Sequence, residues 1–74
     1  FTVGINSTNN VSINIIDILG RDVATLHNGS MIAGNHNFSW GGDNSSGNQV
    51  SSGTYFLVIK GQNESLVKKM LFLK

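Results

Sequence analysis

Apolar side chains in this chain recur at every second position, and this spacing constrains its fold more than any other feature of the sequence. Val11, Ile13 and Ile15, for example, alternate with Ser12 and Asn14. Successive side chains of a β-strand point to opposite faces, so alternation buries one face and leaves the other in water. The sequence contains no proline and no segment with helical periodicity. We therefore predict an all-β protein.

Turn-forming residues divide the chain into about seven short strands. Turns are expected at 7–10, 19–22, 27–30, 41–49 and 61–65, with Gly20 at a positive φ angle in the second of these. This pattern is typical of an antiparallel β-sandwich of the immunoglobulin type, here without a cysteine pair. The segment TYFLVIK, 54–60, is the most apolar and is expected to be a central strand.

The alternation changes phase after Ile15, because Ile16 and Ile18 take the other parity. This change predicts either burial on both faces or a β-bulge near the end of that strand. A short return strand is expected to begin at Val50.

Aromatic side chains are few and are predicted to contribute to the core. His36, Phe38 and Trp40 are expected to alternate along one strand, and Trp40, Tyr55 and Phe56 to pack in the interior. An aromatic platform for sugars is disfavoured because the chain has a single Trp.

A chain of 74 residues without cysteine is predicted to form one domain, residues 1–74, that relies on apolar burial rather than on disulfides. Its net charge of +1 gives no general attraction to nucleic acid. No run of 18 apolar residues occurs, so no membrane span is expected. Domains of this size are often one module of a longer protein.

The last predicted strand, 66–73, mixes apolar and basic residues on both faces. One parity holds Leu66, Lys68, Met70 and Phe72, and the other holds Val67, Lys69, Leu71 and Leu73. Two alternatives remain open. The strand is an edge whose lysines discourage pairing, or its free edge is paired by a partner, a second copy included. Leu71 and Leu73 are expected to help hold the sandwich together.

Four of the five cationic side chains, Lys60, Lys68, Lys69 and Lys74, lie in the last fifteen positions. They form either a solvated strand face or a local basic patch that a partner recognises. Gly20 and Arg21 also allow two interpretations. They form an ordinary β-turn, or a turn in which the Arg21 guanidinium is part of a docking face.

No catalytic or metal site is predicted. The segment 43–47, DNSSG, superficially resembles a calcium loop, but only Asp43 is charged, and a hairpin loop is favoured. His27 and His36 have no cysteine or carboxylate at a spacing that suggests zinc. No serine lies in a nucleophile-elbow context. We expect no enzymatic activity and no cofactor.

Three segments together resemble a known family: IIDILGRDVATL, AGNHNFSWGGDNSSGNQVSSGTYF and KKMLFLK. In order and spacing they are similar to the C-terminal sorting domain (type A) of the type IX secretion system. That family is related to the immunoglobulin-like domain of flagellar hook-capping proteins. The resemblance covers about Val11 to Lys74. The chain lacks the Pro-Asn-Pro segment usual in the family, and Gly41 stands where an acidic residue often follows the Trp.

The resemblance implies a non-catalytic address at the end of a larger secreted protein of a Bacteroidetes-type bacterium. Its partners would be a cargo domain N-terminal to this chain, the outer-membrane translocon and a sortase-like protease. The protein would pass through the periplasm and be secreted or attached to anionic lipopolysaccharide at the cell surface. The residues expected to be recognised are Lys68, Lys69, Met70, Leu71, Phe72, Leu73 and Lys74, with Gly20 and Arg21 as a second set.

The alternative is a structural module. An immunoglobulin-like spacer or assembly domain, as in hook-capping proteins or as an accessory domain of a glycosidase, would have the same strand pattern and would need no free C-terminus.

Overall fold

Two antiparallel sheets of unequal size make up the fold. The structure, a computed structural model, describes residues 1–62 and 64–73. Its strands are β1 (Thr2–Ile5), β2 (Asn9–Asp17), β3 (Asp22–Met31), β4 (Gly34–Asn37), β5 (Gly53–Lys60) and β6 (Ser65–Phe72). The large sheet has the order β3-β2-β5-β6, and the small sheet pairs β1 with β4. The predicted all-β antiparallel sandwich is confirmed.

The core lies on the face of the large sheet where β2 and β5 alternate as the sequence predicts. Ile13 and Ile15 of β2 are completely buried, and Tyr55 and Leu57 of β5 lie beside them. Val3 of the small sheet belongs to the same cluster. Full burial of one such aliphatic side chain contributes roughly 1.5–3 kcal/mol. The expected central position of the TYFLVIK strand is confirmed, because β5 has a paired neighbour on each side.

The change of phase after Ile15 corresponds to irregular pairing between β2 and β3. Their register shifts between Ile13 and Asn14 and again between Ile15 and Ile16. The bulge alternative is therefore confirmed, and burial on both faces is not, because Ile18 is exposed.

The turn predicted at 27–30 is wrong. β3 continues through these residues to Met31, with Asn28 opposite Ser12 and Gly29 opposite Val11. The Asn-Gly pair suggested a local turn, but pairing with the long strand β2 overrides that preference. The two register shifts leave Leu26 and Val23 of β3 without a partner residue in β2. Gly29 takes a positive φ of 144°.

Two further details of the strand prediction are wrong. β4 ends at Asn37, so Trp40 lies outside it, and Val50 does not begin a strand. The described residues therefore form six strands, one fewer than the approximate number expected from the sequence. An isolated pairing of Asp43 with Gln49 replaces the return strand.

Candidate interaction surface

The last strand, β6, is an edge of the large sheet. It pairs with β5 along its whole length, from Gly53 opposite Phe72 to Lys60 opposite Ser65. Within residues 1–62 and 64–73 no strand pairs with its other side. The sequence prediction of an edge position is confirmed.

The inner parity of β6 faces the core side of the sheet. Met70 lies opposite the buried Tyr55, and Met70 and Phe72 both pack against the core cluster. Leu66 and Lys68 share this parity but stay exposed, nearer the beginning of the strand. Burial along β6 therefore increases toward its C-terminal end.

Phe72 is fixed by an aromatic cluster and by a glycine. Its ring centroid lies 5.5 Å from that of Trp40, which in turn lies 5.2 Å from Tyr55. The ring also covers Gly42, whose missing side chain leaves the space that the ring fills. The Trp40 indole N–H donates to the Asp43 carbonyl at 2.8 Å, which ties this cluster to the 41–49 loop.

The outer parity of β6 continues an apolar strip on the other face of the large sheet. Val67 lies opposite Val58, Lys69 opposite Phe56, and Leu71 opposite Thr54. Val67 and Leu71 are 61% and 70% exposed, and no layer covers them in the described part of the chain. The expectation that Phe56 lies in the core is wrong, because adjacent strand residues face opposite ways and Tyr55 takes the interior. Trp40 is half-buried against the core rather than enclosed.

The expectation that Leu71 and Leu73 hold the sandwich together is also wrong. Both are exposed, Leu73 to 79%. The pairing of Tyr55 with Met70 sets the register, so that Met70 and Phe72 take the core parity instead. Lys74, the last of the predicted recognition residues, lies outside the described residues.

The second predicted set, Gly20 and Arg21, lies in the β2–β3 turn. Gly20 has the expected positive φ, 82°. The Asp17 carboxylate accepts hydrogen bonds from the backbone N–H groups of Leu19 and Arg21, each at 2.9 Å, and from Arg21 Nε at 2.8 Å. The hydrogen bond from the backbone N–H of Arg21 lowers the pKa of Asp17. Partial burial of the carboxylate opposes this shift, and the Arg21 guanidinium adds to it. Arg21 is exposed yet already paired with Asp17.

The structure does not bring the two predicted sets together into one site. Asp17 lies opposite Tyr55, and Tyr55 opposite Met70, so the turn and the end of β6 are at the same end of the large sheet. β5 separates β2 from β6, which places the turn at least two strand spacings, roughly 10 Å, from the last strand.

The same turn geometry occurs a second time in the 41–49 loop. Asn44 Oδ1 accepts from the N–H groups of Ser46 and Asn48, as Asp17 Oδ1 does from the residues two and four positions later. Gly47 has a φ of 84°, and its N–H donates to the Asn44 carbonyl at 3.0 Å. Both turns share a sequence signal, Asp or Asn followed three residues later by Gly, that would have predicted their common geometry.

Several of the side chains considered for chemistry make contacts within the fold. Asn44 is occupied by the backbone of its own loop, which is a hairpin-like turn as favoured. His27 and His36 contact the carbonyl oxygens of Ser30 and Ile32. Among residues 1–62 and 64–73 no group of His, Asp and Glu side chains is arranged to hold a metal ion. The same residues contain no helix of a length and hydropathy that would span a membrane.

A groove that the sequence did not predict lies between β1 and the residues at which β5 ends and β6 begins. It encloses about 570 Å³ and is lined by Ile5, Ile59, Leu66 and polar groups that include Asn9 and Glu64. Its shape depends on how β1 packs against the large sheet, which the spacing of apolar residues does not predict.

Comparison with known families gives one match. The model of the FlgD Ig-like domain family matches residues 2–65, which include β1 to β5 and reach the first residue of β6. No curated protein and no solved structure matches the chain. The match covers most of the sequence, the small sheet and three of the four strands of the large sheet. The chain therefore belongs to the FlgD Ig-like domain family.

Proposed function

We propose that this chain is a non-catalytic immunoglobulin-like module that serves as a structural spacer or assembly domain within a larger protein or complex. The observation that carries the proposal is the family match, which extends over the sandwich itself rather than over a pocket or motif. Hook-capping-like assembly and an accessory role beside an enzyme domain are both within this class.

The hydrogen bonds of the polar side chains support a structural role. Asp17 and Asn44 stabilise turns, and Tyr55 Oη donates to the Ser51 carbonyl at 2.7 Å. The Phe1 ring stacks on Phe38 at 5.8 Å, and the backbone nitrogen of Phe1 donates to the Phe38 carbonyl at 2.8 Å. Each of these groups fixes the scaffold, which is what a spacer of constant shape requires.

A distance measurement tests the spacer role. Residues 1–74 are placed between two rigid fluorescent domains, and single-molecule energy transfer reports the distance between them. A spacer gives one narrow distribution, because the principal extents of the folded module are fixed at 35 × 20 × 18 Å. A flexible 74-residue Gly/Ser linker is the control, and a distribution as broad as the linker's contradicts the proposal.

A second candidate function is a type IX secretion signal. The observation that favours it is the exposure of Leu71 and Leu73 at the end of an edge strand, beside Lys69. In this role a translocon would bind the end of β6, a sortase-like protease would act on the module, and the cargo would precede it in the chain. The protein would then pass through the periplasm to the cell surface or the medium.

Export of a reporter tests this second function. Residues 1–74 are fused behind a periplasm-directed reporter in a bacterium that has the type IX system, and surface and medium fractions are assayed. Export should fall when Lys69, Leu71 and Leu73 are replaced together by serine. Replacement of Lys60, Thr25 and Asn28 by serine is the control. Equal export by both variants eliminates the tail as a signal.

A further inference from the structure

The free side of β6 is an unpaired strand edge of useful length. β6 has eight residues, all paired on one side with β5. In an antiparallel pair the backbone N–H and C=O groups of alternate residues point away from the partner strand, so β6 presents a row of these groups on its free side. An extended segment can bind such a row by adding one more strand.

Two adjacent lysines stand in the middle of this edge. Lys68 lies opposite Leu57 and Lys69 opposite Phe56, so each lysine is paired across the strands with an apolar residue and not with a carboxylate. Within residues 1–62 and 64–73 the one ion pair joins Arg21 to Asp17, and neither lysine takes part. Being adjacent, the two lysines project on opposite faces of the sheet.

Aliphatic side chains flank the lysines on both faces. Val67 and Leu71 lie on the outer face, and Leu66 and Met70 on the inner one. Val67, Leu71 and Leu66 are 61%, 70% and 58% exposed. A strand added to this edge would cover part of each, since directly opposite side chains have Cβ atoms about 5 Å apart.

A second copy of the chain does not complement this edge. In an antiparallel β6–β6 pair opposite residues share a face, so in the registers of greatest overlap either Lys68 or Lys69 would lie opposite its own counterpart, which is destabilising. The acidic residues of the chain are Asp17, Asp22, Asp43 and Glu64, none adjacent to another. The charge pattern therefore favours a partner of different sequence.

We infer that the free edge of β6 binds an extended protein segment that carries two adjacent carboxylates flanked by aliphatic residues. Antiparallel pairing places one carboxylate beside Lys68 and the other beside Lys69, with the aliphatic residues beside Val67 and Met70. The inference deepens the proposed assembly role and rests on it, because it names the chemistry of the segment that the module holds.

Peptide titration of the isolated chain tests the inference. The probe is the peptide Thr-Val-Val-Glu-Glu-Val-Val-Thr, and its control has Lys-Lys in place of Glu-Glu. ¹⁵N-resolved NMR of residues 1–74 should show shifts confined to β6 and its neighbours, with the Glu-Glu peptide bound about tenfold or more tightly. Binding should weaken as salt is raised, since both contacts are exposed.

Charge reversal and backbone blocking make the test specific. Lys68→Glu with Lys69→Glu should reverse the preference toward the Lys-Lys peptide, whereas Lys60→Glu, on the neighbouring strand, should leave it unchanged. Two further Glu-Glu peptides carry N-methyl groups on alternate residues, so that each has the amide groups of one of its two backbone edges blocked. N-methylation leaves the charges of both peptides unchanged. At least one should lose binding, because strand addition needs its amide groups.

Equal binding of both peptides, shifts centred on β1 or β3, or retention of binding by both N-methylated peptides would overturn the inference. None of these results would alter the narrow distance distribution expected of a spacer, so failure of the inference and failure of the proposed function give different data.

Discussion

The Phe72 ring lies over Gly42, in the space that a side chain at position 42 would occupy. This contact joins the end of β6 to the 41–49 loop, with the Trp40 ring packed against Phe72 on the same side. It explains how a strand at the sheet edge is held while its other parity stays exposed.

Gly42→Ala should destabilise the fold by about 2–4 kcal/mol. The new Cβ would overlap the Phe72 ring, and the φ of 85° at this position is unfavourable for a residue with a side chain. Gly41→Ala is the matched control, because open space surrounds that position. Urea unfolding followed by Trp40 fluorescence measures both, and equal free energies of unfolding would contradict the contact.

Phe72→Ala should lower the free energy of unfolding by about 2–3 kcal/mol, somewhat less than for a fully enclosed Phe because the ring is half-buried. Leu71→Ala should change it by less than about 0.5 kcal/mol, since Leu71 is 70% exposed. Chemical denaturation of the two variants gives the comparison. A larger decrease for Leu71→Ala than for Phe72→Ala would contradict the register in which Phe72, and not Leu71, faces the core.

Gly20→Ala and Gly47→Ala should each lower the free energy of unfolding by about 1–2 kcal/mol, and the two decreases should be similar. Their φ angles are 82° and 84°, and neither position has a neighbour within 4 Å that a new methyl group would meet. Gly53→Ala, also in open space but without a positive φ, is the control. Thermal unfolding monitored by circular dichroism measures all three. Costs that differ severalfold between Gly20 and Gly47 would contradict the equivalence of the two turns.

Asp17→Asn should lower the melting temperature at pH 7, and the difference from the parent chain should vanish in acid. The folded-state pKa of Asp17 is lowered below that of the unfolded chain, about 3.9. Its stabilisation is therefore present above that value and is lost as the pH falls through the folded-state pKa. Melting curves of Asp17→Asn and of the parent chain between pH 7 and pH 2 measure this difference. A difference that is constant with pH would exclude the ionised carboxylate as its source.

Period-two alternation was sufficient to predict the sheets and much of the core. Val11, Ile13 and Ile15 alternate without ambiguity, and the most apolar segment, β5, takes the central position expected for it. Alternation failed where both parities are apolar. In β6 only the register against β5 decides that Met70 and Phe72 face the core and that Leu71 does not, and register depends on partners distant in sequence.

Local signals also failed where long-range pairing opposes them. Asn28 and Gly29 have turn chemistry but lie within β3, because β2 is long enough to pair beyond them. The candidate site was predictable in part. The edge position of the last strand and its lysines follow from the sequence, whereas the approach of Phe72 to Gly42 and the groove beside β1 depend on packing.

Amide hydrogen exchange of residues 1–74 tests the free edge of β6 most directly. Along Ser65–Phe72, alternate amides should be protected, because they donate to β5, and the amides between them should exchange at rates close to those of an unstructured chain. Fast exchange at every position would show that the last strand is not docked. Protection at every position would show that its outer edge is already covered, and either result contradicts a docked strand with an edge open to a partner.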